Sequence, residues 1–340
     1  MGCFGLIIYS EKDVPYDKDI DFPGRKAHIG EVISHQMARQ PFTAVVTQSR
    51  WADLWIGETL SKLYSHYIMN EIFIGSLSLS VQLVDLYAIQ ILQLTFQYEI
   101  NCQMRALSEY DVRVADEIDV GLCSRWYYNK GLALLRMIEY IITRDKFQLA
   151  VKKYLGEFKF RSATPDNLWI TLQHILDDRT NKIVRISEIM DTWLSQRYYP
   201  VINVFHNLQN NTVRLNITGS VDMRKSTWMI PTTYTLYNPL PYMISDIMIT
   251  SEITTIKLKQ NINFVLFNKE QNGYFRVNYD ENSWNRIANV LHSDNYNQIN
   301  VLNRAQLIDD AYYFMTQNYI SPLIFWRIAS YLKHDVNYIV

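Results

Sequence analysis

Between Lys26 and Ile72 the chain reads as two helices joined by a short connection, and the polar residues on those helices restrict how they can be placed. Ile29, Val32, Ile33 and Met37 recur at helical spacing over Lys26–Gln40, which predicts one apolar face turned inward. Pro41 is expected to end that helix, because proline brings no N–H to the next turn. Trp51–Ile72 reads as a second long helix. His35 and Arg39 are one turn apart and must share a face of the first helix. Glu58 follows near the start of the second, with eighteen residues between it and Arg39. Packing the two helices side by side would present Glu58 to His35, and a buried carboxylate demands a cation. An Arg39–Glu58 ion pair is one expectation for that carboxylate.

His35-Gln36-Met37-Ala38-Arg39 has the outline of H-E-x-x-H with two positions changed. In the intact pattern two histidines at i and i+4 bind Zn²⁺, the inner glutamate activates water, and a glutamate from a second helix completes the ligand set. Further segments follow in order. They are Met1-Gly2-Cys3-Phe4-Gly5-Leu6, Val32–Gln40, Trp51–Glu58, Tyr128-Asn129-Lys130-Gly131, Ile189–Trp193 with Tyr199-Pro200-Val201, Gly273–Asp280 and Leu302–Ala311. Together they resemble the gluzincin aminopeptidases of the aminopeptidase N type. The resemblance covers nearly the whole chain and is specific because so many segments match in sequence order. It implies zinc as cofactor, peptides as substrates, His35 and Glu58 as ligands, and Tyr128 as the oxyanion donor. It also places Gln36 at the general-base position, Arg39 at the second histidine, and Gly2 at the glutamate that anchors the substrate amine.

Three of those positions lack the chemistry they need. A guanidinium stays protonated, offers only donors, and cannot ligate a metal. A +1 charge about 4 Å from Zn²⁺ costs about 8 kcal/mol at an effective dielectric of roughly 20. Gln36 has no basic oxygen near neutral pH, and Gly2 has no side chain to hold an ammonium. The expectation is a catalytically inactive relative that binds no zinc, with His35 and Glu58 as remnant ligands. The alternatives are an active zinc aminopeptidase with an unusually completed site, and a receptor-like module that holds peptides without cutting them. For Tyr128, beside Trp126 and Tyr127, packing and catalytic roles both stay open. Trp51, Trp55 and Trp193 are expected in the core.

The resemblance implies an α+β multidomain fold. Residues 1–198 would be most of a thermolysin-like, mainly helical catalytic domain, 199–279 a β-sandwich, and 280–340 the start of an all-helical C-terminal domain. The residues agree in texture: Gly131–Thr143, Phe147–Phe158, Pro165–Asp177 and Ser187–Gln196 read as helices. Beyond Tyr199, short β-branched runs at 201–204, 213–217, 232–236 and 253–258 read as strands. Ile7-Ile8-Tyr9 reads as a short strand too, and Val81–Tyr98 as a further helix. Beginning inside a motif and ending early in a helical domain, the chain reads as a partial copy.

The 340 residues carry a net charge of −1 and are 48% hydrophobic, which favours a globular chain and gives no electrostatic case for nucleic acid. Cys3, Cys102 and Cys123 are too scattered for a disulfide framework. Relatives of this type imply an extracellular or membrane-anchored setting, but Met1–Ser10 lacks a basic, cleavable leader. The apolar run Ile72–Phe96 carries Asp85 and several glutamines, so it reads as buried helix and not as a membrane span. Asn210-Asn211-Thr212 and Asn216-Ile217-Thr218 are glycosylation acceptors by pattern, meaningful only in a secreted chain.

Overall fold

The computed structural model describes residues 4–22, 24–73, 88–101, 105–109, 124–177, 185–220, 228–238, 241–250, 253–258 and 262–337. In chain order the helices among them are α1 (Gly24–Arg39), α2 (Leu54–Phe73), α3 (Leu94–Asn101), α4 (Ser124–Ile142), α5 (Arg144–Glu157), α6 (Pro165–Asp177), α7 (Ile186–Leu194), α8 (Glu281–Leu291), α9 (Val301–Thr316) and α10 (Pro322–Ala329). The strands are β1 (Val46–Gln48), β2 (Arg161–Ala163), β3 (Pro200–Asn207), β4 (Thr212–Gly219), β5 (Ile230–Tyr237), β6 (Pro241–Ile249), β7 (Ile253–Lys257), β8 (Phe264–Phe267) and β9 (Arg276–Tyr279). The chain forms two compact units, Met1–Val84 with Leu107–Met190 and Asp85–Ala106 with Asp191–Val340.

The first unit is helical around α1, α2 and α4. Helix α1 stops at Arg39 because Pro41 cannot extend its ladder; the chain continues through a single π-turn, Gln40–Val45, in which Thr43 Oγ1 donates to Arg39 O at 2.8 Å. Two glycines allow the close approaches that place the site. A Cβ at Gly57 would lie 2.6 Å from Phe42 O, so the start of α2 runs directly against the turn that ends α1. A Cβ at Gly131 would lie 2.7 Å from both Thr59 Oγ1 and Trp55 Cε3, so α4 crosses α2 almost backbone to side chain. Leu132, Leu134, Leu135, Met137 and Ile138 are all buried, as their spacing predicts. Strand β1 pairs in parallel with β2, Val46 opposite Arg161.

Several expectations for residues 1–198 need correction. Helix α4 begins at Ser124, not Gly131, which puts Tyr128 and Asn129 on the helix itself. Met37 is 52% exposed, and the inward face of α1 carries the small Ser34 and Ala38 instead. Small residues there let α1 lie close to α2. Trp51, in a 3-10 turn at the entrance to α2, is 43% exposed, while Trp55 and Trp193 are buried as expected. Residues 7–9 form no strand; Ile8 is 81% exposed, and among the described residues no strand pairs with these three. The expected helix over residues 81–98 falls partly outside the described residues; within them a π-turn, Ala88–Gln93, leads into α3. Gly2 and all three cysteines also lie outside the described residues.

The second unit holds two sheets. One has the order β7-β4-β3-β9, with β3 and β9 parallel and the other pairs antiparallel; the other has the order β6-β5-β8 and is antiparallel. Two distant sequence segments meet at Arg276 of β9, which is 1% exposed. Its Nη1 donates to Asp309 Oδ2 at 2.6 Å and to Asp310 Oδ1 at 2.7 Å, both on α9. Asp310 also accepts from Val277 N at 3.1 Å. The guanidinium lies 4.7 Å from the Phe96 ring and 4.5 Å from that of Tyr313. A buried arginine with two carboxylates and aromatic faces is a structural tie, since leaving either charge alone would be costly. No helix among the described residues is long and apolar enough to cross a membrane.

Candidate functional site

Three helices of the first unit supply the side chains. Helix α1 presents His35 and Arg39 on one face, α2 presents Glu58 and, one turn on, Lys62, and α4 brings Tyr128 and Asn129. Arg39 Nη2 donates to Glu58 Oε1 at 2.6 Å. The other carboxylate oxygen, Oε2, lies 3.6 Å from His35 Nε2. The expected ion pair is therefore present. It is single-pronged: one guanidinium nitrogen reaches one carboxylate oxygen, and the other oxygen faces His35. All three side chains are half-buried. Burial works to raise the Glu58 carboxyl, but contact with His35 and the charge of Arg39 outweigh it and hold the group below the ordinary carboxylate value.

Beside this cluster opens a cleft of about 370 Å³ lined by His28, Glu31, Val32, His35, Glu58, Lys62, Ser65 and Tyr128. Of the residues singled out from sequence, His35, Glu58 and Tyr128 thus meet at one cleft, and Arg39 is bonded to it through Glu58. Gln36 is half-buried but is not part of the lining. Lys62, His28, Glu31 and Ser65 were not singled out from sequence. The signal was available: Glu31 and His28 stand one and two turns before His35, and Lys62 one turn after Glu58.

The cleft wall is tied between helices. Lys62 Nζ donates to Asn129 Oδ1 at 2.6 Å, and Thr59 Oγ1 donates to the Tyr128 carbonyl at 3.4 Å. Behind Lys62, His66 Nδ1 is 2.6 Å from Lys62 O, and desolvation of its ring pushes the imidazole down to about 3, so it is neutral and donates from Nδ1.

The peptidase family M1 domain matches residues 1–193, more than half of the 340. The chain belongs to peptidase family M1. A second match, to the ERAP1-like C-terminal domain, covers residues 264–340. The M1 chain is similar to the glutamyl aminopeptidase of Bos taurus, 28% identical over 346 residues, which take in 100% of this chain and 35% of the relative. It is 26% identical to aminopeptidase N of Plutella xylostella over 351 residues, covering 100% of this chain and 36% of that protein. To aminopeptidase Ey of Gallus gallus it is 28% identical over 349 residues, covering 99% and 35%. The chain thus spans about a third of the length of the curated relatives it matches.

M1 peptidases are zinc-dependent, so the residues present can be tested against that ion. The Glu58 oxygen nearest Arg39 is already bonded to a cation. A zinc-binding imidazole normally donates its second nitrogen to a carboxylate or carbonyl, but His35 Nδ1 is buried with no hydrogen-bond partner among the described residues. No group of three or more His, Cys, Asp or Glu among the described residues is placed to hold a metal. In this geometry the side chains do not fit zinc.

Proposed function

We propose that this M1 member is a non-hydrolysing homologue in which the Arg39–Glu58 ion pair takes the place of the metal. The observation that carries the reading is the 2.6 Å contact between Arg39 Nη2 and Glu58 Oε1. Peptide hydrolysis at such a site needs a Lewis acid, a base for the water proton, an oxyanion donor and a carboxylate for the substrate amine. Arg39 removes the first and Gln36 the second, and Gly2 stands where the resemblance puts the fourth. Tyr128 alone keeps its chemistry, at the edge of the cleft. His35 and Glu58 are then remnants of a ligand set, holding each other and Arg39 in place. No step through zinc follows from these residues.

The same reading takes residues 1–198 as most of a thermolysin-like catalytic domain, 199–279 as a β-sandwich and 280–340 as the start of a helical domain. The two sheets over residues 200–279 and the helices from Glu281 onward support that order.

The open cleft supports a second reading: the chain holds peptides without cutting them. About 370 Å³ beside Tyr128, His35 and Lys62 is room for a few side chains. One set of measurements separates these readings. Elemental analysis of the purified chain at neutral pH should find no stoichiometric zinc, and aminoacyl substrates and short peptides should not turn over. Calorimetric titration with the same peptides then tests binding. One zinc per chain that disappears on mutating His35 or Glu58, together with turnover, would establish the active enzyme instead.

A further inference from the structure

Two glycosylation patterns lie six residues apart on one hairpin, and the structure treats them very differently. Strands β3 and β4 pair from Pro200↔Gly219 to Asn207↔Thr212, so residues 208–211 form the turn at the tip. Asn207 organises that turn, its Oδ1 accepting from Gln209 N at 2.9 Å and Asn210 N at 3.4 Å. Asn211 follows with φ 52°, a left-handed conformation that asparagine tolerates. Asn210 is exposed, and its Oδ1 accepts a hydrogen bond from Thr212 Oγ1 at 2.5 Å. The hydroxyl of the third residue of the pattern is thus on the amide of the first, at an exposed turn.

Asn216 has none of this. It sits in β4, paired with Asn203 of β3 on one side and Ile253 of β7 on the other. Thr218 Oγ1 does not engage its asparagine; it accepts from Asn203 Nδ2 at 3.1 Å, across the ladder. A transferase that must draw an extended acceptor into its own groove could reach Asn216 only by stripping strands from both sides of β4.

We propose that Asn210 is an N-glycan acceptor in the folded chain and that Asn216 is not. The donor is an oligosaccharide carried on a lipid diphosphate, of the kind used in the secretory lumen. Asn210 Nδ2 attacks the anomeric carbon, a C–N bond forms as the C–O bond to the diphosphate breaks, Nδ2 gives up one proton, and the lipid diphosphate leaves. The glycan would also cover an apolar hairpin end, where Phe205 is 48% and Leu208 45% exposed. The assignment does not depend on whether the cleft hydrolyses peptides.

The test uses the full, folded chain with a purified single-subunit oligosaccharyltransferase and a lipid-diphosphate-linked oligosaccharide, read by intact mass and peptide mapping. One glycan is expected, on Asn210. Asn210→Gln should abolish it, Asn216→Gln should leave it unchanged, and Thr212→Ser should retain it. Thr212→Ala should abolish it, because the third residue of the pattern then carries no hydroxyl. Circular dichroism of each variant checks that the fold is kept, which these exposed or conservative changes should allow. Modification of Asn216 in the folded chain would overturn the proposal. So would a wild-type chain left unmodified under conditions that glycosylate the synthetic peptide 205–214.

Discussion

Arg39→Ala removes the cation that meets Glu58, and its cost can be worked from the geometry. At 2.6 Å the gross attraction of the pair is about 6 kcal/mol for an effective dielectric of roughly 20, most of which is offset by lost hydration and side-chain ordering. The Arg39 and Glu58 side chains retain 24% and 17% exposure. The pair therefore lies between exposed pairs, at about 0.2–1 kcal/mol, and buried pairs whose breakage costs about 3–5 kcal/mol. Glu58 is not stranded by the change, because Oε2 still faces His35 Nε2 at 3.6 Å. We expect a loss of about 2 kcal/mol, less than a fully buried pair would give.

Because the chain has two compact units, global unfolding need not be two-state, so the assay should be local. Hydrogen exchange over Gly24–Arg39 and Leu54–Phe73 should speed up by about thirtyfold where amides exchange through opening of this helix pair. A double-mutant cycle with Glu58→Ala should return a coupling of about 1–2 kcal/mol. The coupling has a fixed sign with pH. Glu58 is held below its ordinary value of 4.5, so the stabilisation is fully present above that value and is lost as pH falls through the depressed one. Exchange within about threefold of the parent chain, or a coupling that grows on acidification, would refute an ion pair at this position.

On the proposed reading, Gln36→Glu with Arg39→His should give about one zinc per chain by elemental analysis, with little aminopeptidase activity because that reading puts Gly2 where a carboxylate would hold the substrate amine. Gly57→Ala would place a Cβ 2.6 Å from Phe42 O; it should destabilise the start of α2 by about 1–3 kcal/mol and loosen the Arg39–Glu58 contact, seen as faster exchange over residues 54–58. His66 is held neutral, with its imidazole lowered from 6.5 to about 3. Its contribution to stability is present above 6.5 and lost as pH falls toward 3, so a His66→Asn variant should flatten the dependence of unfolding on pH across that window.

What the spacing of residues could reveal was set by how local each constraint is. Glu58 was brought to His35 and Arg39 by the family resemblance of its segment, whereas those two were legible because an i, i+4 relation fixes them on one face. The buried face of α4 was legible for the same reason. Its start was not, because Gly131 reads as a boundary when only propensity is considered, at a cost of about 1 kcal/mol inside a helix. In the fold it is the residue whose missing Cβ lets α4 cross Trp55 and Thr59. Met37 and Trp51 misled in the opposite sense: both are apolar, but Ser34 and Ala38 turn the small face of α1 inward, and Trp51 sits at the edge of a 3-10 turn.

The strands missed from sequence show the non-local limit. Phe264–Phe267 is buried at all four positions and so has no alternation to read. Arg276–Tyr279 begins with a charge that becomes tolerable only through Asp309 and Asp310, more than thirty residues away. The two segments that carry these residues resemble family motifs individually, yet nothing in either predicts the other. The Arg39–Glu58 pair and this buried tie thus rest on the same rule. An arginine in a protein interior is stable only where carboxylates have been placed to meet it. At β9 the partners come from α9, and at α1 the partner is Glu58 of α2. A metal restored at His35 would have to displace Arg39 from Glu58. Removing the guanidinium must therefore come before any gain of zinc: Gln36→Glu alone should leave the chain metal-free, whereas adding Arg39→His to it should not.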